Sequence, residues 1–484
     1  MTANQNRRPS SGRDAGWLVS ADLLAVALAF LGQIMLARAL MAEHYGWMVL
    51  AIDLYASLFL VVDLGLPTLI ARDGANAPSM VLPAVYRTYR WQALAALPFV
   101  GLAILLQPDR WLNMEAPAGL LLLAAVIALV HVASYAPRSG LRALGEARLE
   151  AVSKALERAV TVGGYAVLTA QGSSSVTAFA AAFLCGALVG WLLALGWLWR
   201  AAPIGEPSVG WTQLAPSWTS NANLLASALP FAITLGVLPY VVRLEKFLVA
   251  ADSGAEMAAV FHVAQLAWLA GLVVPAAIRS ALLPVLGQHR DLPLQYGREL
   301  NQALDMCLAL LPFGLFGGYL LVVLLAPLAF PTQYLDGTYG ASAVDLFAVL
   351  LGGWALTLLS TPTYTSLMAG PRPWQFTQFI FLVVLIAALF GYVFILHVAD
   401  TPGGVLYGAA VASTLSAGAM LLLSWWMSQQ QAFIRQRRDD WSLALLGSLF
   451  IVVGLASHTW WWMLGLPLFC FMPRGWKAIR STLG

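Results

Sequence analysis

Long apolar segments follow one another along almost the whole chain and are separated by short polar loops. A helix that crosses a bilayer needs about 20 predominantly apolar residues. The pattern predicts an all-α integral membrane protein with about 14 such helices, of which the last two are the shortest. The loops are too short to form domains. The predicted spans are 17–40, 47–71, 87–107, 117–136, 152–171, 175–199, 221–249, 256–285, 301–326, 342–368, 375–397, 403–427, 441–457 and 459–473.

Composition and charge distribution agree with this prediction. Hydrophobic residues make up 60% of the chain and charged residues 10%, whereas soluble domains carry about 25% charged residues. Cytoplasmic loops of membrane proteins are enriched in Lys and Arg. With the N-terminus placed inside, the inner segments hold 22 of the 26 Lys and Arg, and the outer loops hold only Arg110. We therefore expect a multi-pass protein of the cytoplasmic (inner) membrane with both termini in the cytoplasm.

The chain also contains a weak internal repeat. A shift of 213 residues superimposes the layout of Gln33–Arg72 on that of Lys246–Val285, each being a helix end, a short outer turn and a returning helix. Transporters are often built from such repeats, with substrate bound between them. We predict two pseudo-symmetric six-helix bundles plus two C-terminal helices. The predicted parts are a cytoplasmic tail (1–16), an N-lobe (17–200), a cytoplasmic linker (201–220), a C-lobe (221–430) and an accessory helix pair with a cytoplasmic tail (431–484).

Three charged residues, Arg243, Glu245 and Lys246, interrupt the apolar segment 221–249. A cation inside a bilayer costs about 2.5–3.5 kcal/mol and persists mainly where it faces protein or water. Arg and Lys bind phosphate oxygens, and residues three apart share a helix face. We predict that these residues bind substrate, together with Gln33, the repeat mate of Lys246. The alternative is that the charges pair within the helix or that Lys246 extends to the interface.

Acidic residues in the first two predicted spans are candidates for ion coupling. Asp22, Asp53 and Asp63 lie in apolar surroundings, and carboxylates in membrane helices carry protons in many transporters. Asp63 has an alternative role, because it lies near the inner end of its helix and Arg72 is a possible partner. His131 and His262 are further candidates, because histidine in general can change its charge near neutral pH, but packing is the more common role of a single membrane histidine.

The sequence lacks the motifs that are typical of several other functions. No phosphate-binding P-loop, zinc motif or nucleophile elbow occurs, and the three cysteines lie in separate apolar segments. We therefore expect no cofactor, no metal and no built-in nucleotide motor. The positive charge of the inner loops is explained by the orientation of the protein in the membrane and by attraction to anionic lipids. We therefore expect no nucleic acid partner.

Several short motifs occur in the two repeated hairpins. The first hairpin has Leu36–Arg38, Tyr45–Gly46 and Asp63–Leu66, and the second has Glu245, Lys246, Pro275 and Leu282–Leu286. With these residues the hairpins resemble those of the polysaccharide transporter branch of the MOP flippase superfamily, and a stretch at 350–378 resembles its tenth helix. The chain departs from the family pattern at Ala259–Phe261, where members have a G-x-Y-like step. The resemblance covers most of 17–430.

This resemblance implies an exporter that flips lipid-linked oligosaccharides (polyprenyl-pyrophosphate sugars) by alternating access for surface polysaccharide assembly. Its implied partners are that substrate, membrane lipids and polymerase or export proteins. One alternative is a MATE-like cation-coupled drug exporter. An acidic cleft would favour this alternative, whereas the positive charges of Arg243 and Lys246 argue against it. Another is a membrane polymerase or ligase. Such enzymes tend to need a large outer loop, whereas the longest here, 327–341, contains no His or Arg, so we expect no enzyme.

Overall fold

The computed structural model describes residues 11–106, 116–203, 210–289, 292–370, 372–428 and 438–470. Within these ranges the chain is almost entirely helical and contains no β-strand. It forms two compact units, Met1–Pro239 and Tyr240–Gly484. The predicted all-α fold is confirmed. The functional lobes predicted from the repeat stay a prediction.

The first unit contains eight helices of eight or more residues among its described parts. They are α1 (Ser11–Ala39), α2 (Ala42–Phe59), α3 (Leu66–Asp73), α4 (Val81–Leu106), α5 (Leu120–Ala143), α6 (Ala147–Ala170), α7 (Val176–Ala201) and α8 (Asn221–Val237). The first helix, α1, packs along α6, and α7 packs closely on both α5 and α6.

The second unit is organised around one central helix. The helices of this unit are α9 (Tyr240–Ser253), α10 (Ala255–Gly271), α11 (Val273–Gln288), α12 (Pro293–Ala329), α13 (Ala343–Ala369), α14 (Pro373–Leu396), α15 (Pro402–Met427), α16 (Arg438–Ala456) and α17 (Trp462–Cys470). The central helix is α13, which packs mainly against five others, α10, α11, α12, α15 and α16. Most of its side chains are buried, because other helices surround it.

The described residues contain nine helical segments that are long and apolar enough to cross a membrane, and two shorter apolar ones, Leu23–Ala39 and Asp440–Ala456. The predicted count of fourteen is therefore not confirmed. One predicted span, 152–171, lies in α6 (Ala147–Ala170), which is outside the nine. Its first half carries Arg148, Glu150, Lys154, Glu157 and Arg158.

Two of the predicted spans are interrupted rather than straight. The segment 47–71 breaks at Leu64 and Gly65, whose φ angles of 55° and 67° are left-handed. A side chain at Gly65 would bring its Cβ within 2.7 Å of the Ala228 carbonyl oxygen in α8, so only glycine permits this close contact. The segment 221–249 breaks between α8 and α9 at Leu238–Pro239, where proline removes a backbone donor.

Residues 210–221 pack onto the ends of α3 and α4. The fully buried Trp218 donates through Nε1 to Asp73 Oδ2 at 3.0 Å. Arg87 donates to the Trp218 carbonyl and to Asn221 Oδ1, both at 2.6 Å. Its guanidinium lies 4.7 Å from the centre of the Trp211 ring, which stacks on Trp218. These contacts, here named the linker cluster, attach part of the predicted linker to the first unit.

Candidate functional site

Lys246 lies in the second unit, inside the protein. The turn between α9 and α10 passes through Gly254, whose φ of 91° favours glycine. Lys246 is 2% exposed, and its Nζ lies 3.3 Å from Nδ1 of His262 in α10. Lys246 therefore does not extend to the membrane interface. An ammonium donates to an imidazole nitrogen only when that nitrogen carries no proton, so this contact favours the tautomer protonated at Nε2.

Two other polar side chains of α9 and α10, Glu245 and Gln265, are also buried. Glu245 is fully buried, and within the described part of the chain neither of its carboxylate oxygens has a hydrogen-bond partner. Gln265, also buried, donates through Nε2 to the Val242 carbonyl at 3.0 Å. Burying polar and charged groups is costly, and in membrane helices such groups are typically functional. We name Glu245, Lys246, His262 and Gln265 the α9–α10 cluster.

Arg243 precedes Lys246 by one turn of α9 and is half-buried. Arg243 is thus more accessible than Lys246, although the two lie near one face of the helix. The predicted substrate role of Arg243, Glu245 and Lys246 stays a prediction.

Gln33 occupies a related position in the first unit. The hydroxyl of Tyr45 donates to Gln33 Oε1 at 3.0 Å, and Tyr45 is fully buried. This bond joins α1 to α2, as the contact between Lys246 and His262 joins α9 to α10. Each unit therefore has a polar contact between the two helices of its hairpin. The 213-residue shift aligns Gln33 in the first contact with Lys246 in the second.

The three candidate coupling acids have different surroundings. Asp63 is buried, and its Oδ1 accepts a 3.3 Å hydrogen bond from Gln92 Nε2. Arg72 pairs with the neighbouring Asp73 at 2.6 Å rather than with Asp63. Asp53 is half-buried in α2, and the side chain of Asp22 lies outside the described residues. The coupling roles stay predictions.

Sequence reasoning missed a network of charged residues in the first unit. It considered His131 only as a single residue. In the structure Glu157 is buried against Arg138 and lies within ion-pair distance of His131. A signal was present, because His131 and Arg138 are seven residues apart and so lie on one face of α5.

The turn after α12 bears on the enzyme alternative. Both the backbone N–H and the hydroxyl of Thr338 donate to Asp336 Oδ1, at 3.0 and 2.5 Å. These hydrogen bonds lower the pKa of Asp336 from its ordinary value, so this exposed carboxylate is ionised near neutral pH. Nearby Tyr334 is fully buried. The arrangement is that of a stabilised turn, and a general acid would need a raised pKa.

A protein-family model described as "Polysaccharide biosynthesis protein" matches residues 11–289, which is more than half of the chain. The chain belongs to this polysaccharide biosynthesis family. The match includes both repeated hairpins and the whole of the α9–α10 cluster, and it confirms the resemblance seen in the sequence. No curated protein matches the chain.

Solved transporters of the MOP superfamily have the same fold. An inward-facing multidrug resistance MATE family transporter is 16% identical, with a TM-score of 0.59 over 85% of this chain and 96% of that one. An outward-facing multidrug resistance MATE family transporter is 16% identical, with a TM-score of 0.58 and coverage of 86% and 96%. A MOP superfamily transporter from Pyrococcus furiosus, described as having a binding pocket of reverse polarity, is 17% identical, with a TM-score of 0.57 and coverage of 86% and 95%. The polysaccharide biosynthesis family member is thus a multi-pass membrane protein with the fold of MOP transporters.

Proposed function

We propose that this protein flips a lipid-linked oligosaccharide, a polyprenyl-pyrophosphate sugar, across the cytoplasmic membrane by alternating access during surface polysaccharide assembly. The observation that carries the proposal is a polysaccharide biosynthesis family match on a chain with a MOP transporter fold. Both termini lie in the cytoplasm, and the protein performs no catalytic step. Membrane lipids, polymerase and export proteins are its further partners.

The chemistry of the cargo fits the charges of α9. The head group is anionic and hydrophilic, so it needs cations along its path through the bilayer. Arg243 is half-buried, and its planar guanidinium suits two-point binding of phosphate oxygens. Lys246 is buried one turn away and adds positive potential where the dielectric constant is low. Glu245 and Gln33 complete the substrate-binding set, and Asp22, Asp53 and Asp63 are the candidates for coupling.

The test uses purified protein in liposomes loaded with a fluorescent polyprenyl-pyrophosphate oligosaccharide, with flipping measured by quenching of the outer leaflet. We expect Arg243→Gln to slow flipping by at least about tenfold, because it removes charge-assisted hydrogen bonds to phosphate. Arg298→Gln, at an exposed arginine of α12 in the same unit, is the matched control and is expected to behave as wild type.

Two outcomes would contradict the proposal. Wild-type protein that moves no lipid-linked oligosaccharide but exports a cationic dye such as ethidium would favour the MATE-like drug exporter. Wild-type flipping by a folded Arg243→Gln variant would reject the role assigned to that residue. Export of surface polysaccharide in cells that lack their own flippase provides the same comparison in vivo.

A further inference from the structure

A second charged cluster lies in the first unit, where α5, α6 and α7 meet. Arg138 donates to Glu157 Oε2 at 2.5 Å, and Nε2 of His131 lies 3.1 Å from Glu157 Oε1. Both Arg138 and Glu157 are more than nine-tenths buried. Glu157 is ten residues from the start of α6, so it lies about 15 Å along that helix. The cluster is therefore far from the helix end.

The helix α7 leaves room for these side chains. A Cβ added at Gly190 would lie 2.6 Å from Glu157 Oε2 and 3.0 Å from Arg138. One turn earlier, a Cβ at Gly186 would lie 2.7 Å from the Glu157 carbonyl oxygen. A larger residue at Gly190 would fill the space that the charged groups occupy, and one at Gly186 would collide with the backbone of α6 that carries Glu157. The arrangement of the charged groups thus depends on all three helices.

The cluster has more positive charge than its one carboxylate balances. Arg158, half-buried beside Glu157, has its guanidinium 5.6 Å from the centre of the Phe183 ring. Within the described part of the chain Arg158 forms no hydrogen bond or ion pair closer than 4 Å, and the buried Nε of Arg138 has no acceptor. Two guanidinium groups therefore face one carboxylate, and several N–H donors remain for a ligand.

We propose that Arg138, Arg158 and His131, around Glu157, form a binding site for the phosphate of an anionic lipid. Excess positive charge that is largely buried in protein favours a bound counter-charge, and guanidinium groups bind phosphate oxygens through paired hydrogen bonds. The ring of Phe183 supports Arg158 from one side by a cation–π contact. The phosphate belongs either to the polyprenyl-pyrophosphate cargo, in which case the site rests on the proposed function, or to a membrane phospholipid.

The test measures lipid binding by native mass spectrometry of the full chain in a neutral detergent. The probes are polyprenyl pyrophosphate, phosphatidylglycerol and, as the uncharged control, polyprenol. We expect Arg158→Gln to weaken binding of at least one anionic probe by about tenfold, the loss expected for a charge-assisted hydrogen bond. Arg148→Gln removes an exposed arginine from the same helix and is expected to bind as wild type.

The pattern of binding identifies the source of the phosphate. A loss confined to polyprenyl pyrophosphate indicates a subsite for the cargo, and a loss with phosphatidylglycerol indicates a phospholipid site. Arg158→Lys keeps the charge without the planar fork, and we expect it to bind several-fold more weakly while melting at the wild-type temperature. This variant provides the test if Arg158→Gln does not fold.

The proposal is overturned if folded Arg158→Gln binds both anionic lipids as wild type does, if Arg148→Gln weakens binding equally, or if polyprenol binds as tightly as the charged probes. Binding in detergent does not depend on transport. A flippase assay that fails while phosphatidylglycerol binding still depends on Arg158 would reject the proposed function and leave this site in place.

Discussion

The break at Leu64–Gly65 gives a sharp test of how the first unit is held together. Gly65 has a φ of 67°, and a Cβ there would lie 2.7 Å from the Ala228 carbonyl oxygen and from Cβ of Phe231. Substitution Gly65→Ala therefore introduces two separate penalties. A left-handed conformation costs an ordinary residue about 1–2 kcal/mol, and overpacking costs about 1–3 kcal/mol. We expect the free energy of unfolding to fall by about 2–5 kcal/mol.

A matched glycine separates the two penalties. Gly145 has a φ of 77° and no atom within 4 Å of an added Cβ, so Gly145→Ala should lose only about 1–2 kcal/mol. Gly163 lies in α6 with open space around its Cβ position, and Gly163→Ala should be neutral or stabilising by up to about 1 kcal/mol. The expected order of stability is Gly163→Ala, then Gly145→Ala, then Gly65→Ala.

Reversible unfolding of the purified protein in mixed micelles with increasing sodium dodecyl sulfate gives the three free energies. Tryptophan fluorescence and circular dichroism should report the same midpoint if the transition is two-state. If Gly65→Ala loses no more stability than Gly145→Ala, the contact between Gly65 and α8 does not constrain the first unit, and the account of the break is wrong.

Two further predictions concern the linker and the orientation of the chain. Trp218→Phe removes the donor to Asp73 and leaves a buried carboxylate oxygen with fewer partners. We expect the free energy of unfolding to fall by about 1–3 kcal/mol and proteolytic cleavage within 203–220 to become faster. Unchanged cleavage would contradict the conclusion that Trp218 attaches the linker to the first unit. The loop at 171–175 is predicted to be external. Ser173→Cys, introduced after removal of the native cysteines, should therefore react with a membrane-impermeant maleimide added outside intact cells. Protection of this cysteine from the reagent would contradict the predicted orientation.

The helical fold was predictable because the bilayer imposes one simple requirement on the sequence, namely long apolar segments. The break at Gly65 was not, because its neighbours are apolar and hydropathy places Leu64 inside a helix. The close approach of α8, more than 160 residues away in the sequence, is visible only in the fold.

The candidate site was predictable in part for the same reason. The unusual charges of Lys246 and Glu245 are visible in an apolar segment, but the contact with His262 depends on how α10 returns along α9. Likewise, the sequence contains Arg138 and Glu157 without any sign that α7 has small residues opposite them. Single unusual residues are thus found from the sequence, and their partners require the fold.

The attachment of residues 210–221 to the first unit affects how the protein can be split into two co-expressed polypeptides. Hydropathy alone would place the cut in the polar loop 201–220. A first fragment that ends at residue 200 lacks Trp218 and α8, so Asp73, Arg87 and Gly65 lose the groups that cover them. We expect such a fragment to be degraded, because the buried groups of the first unit are then left uncovered.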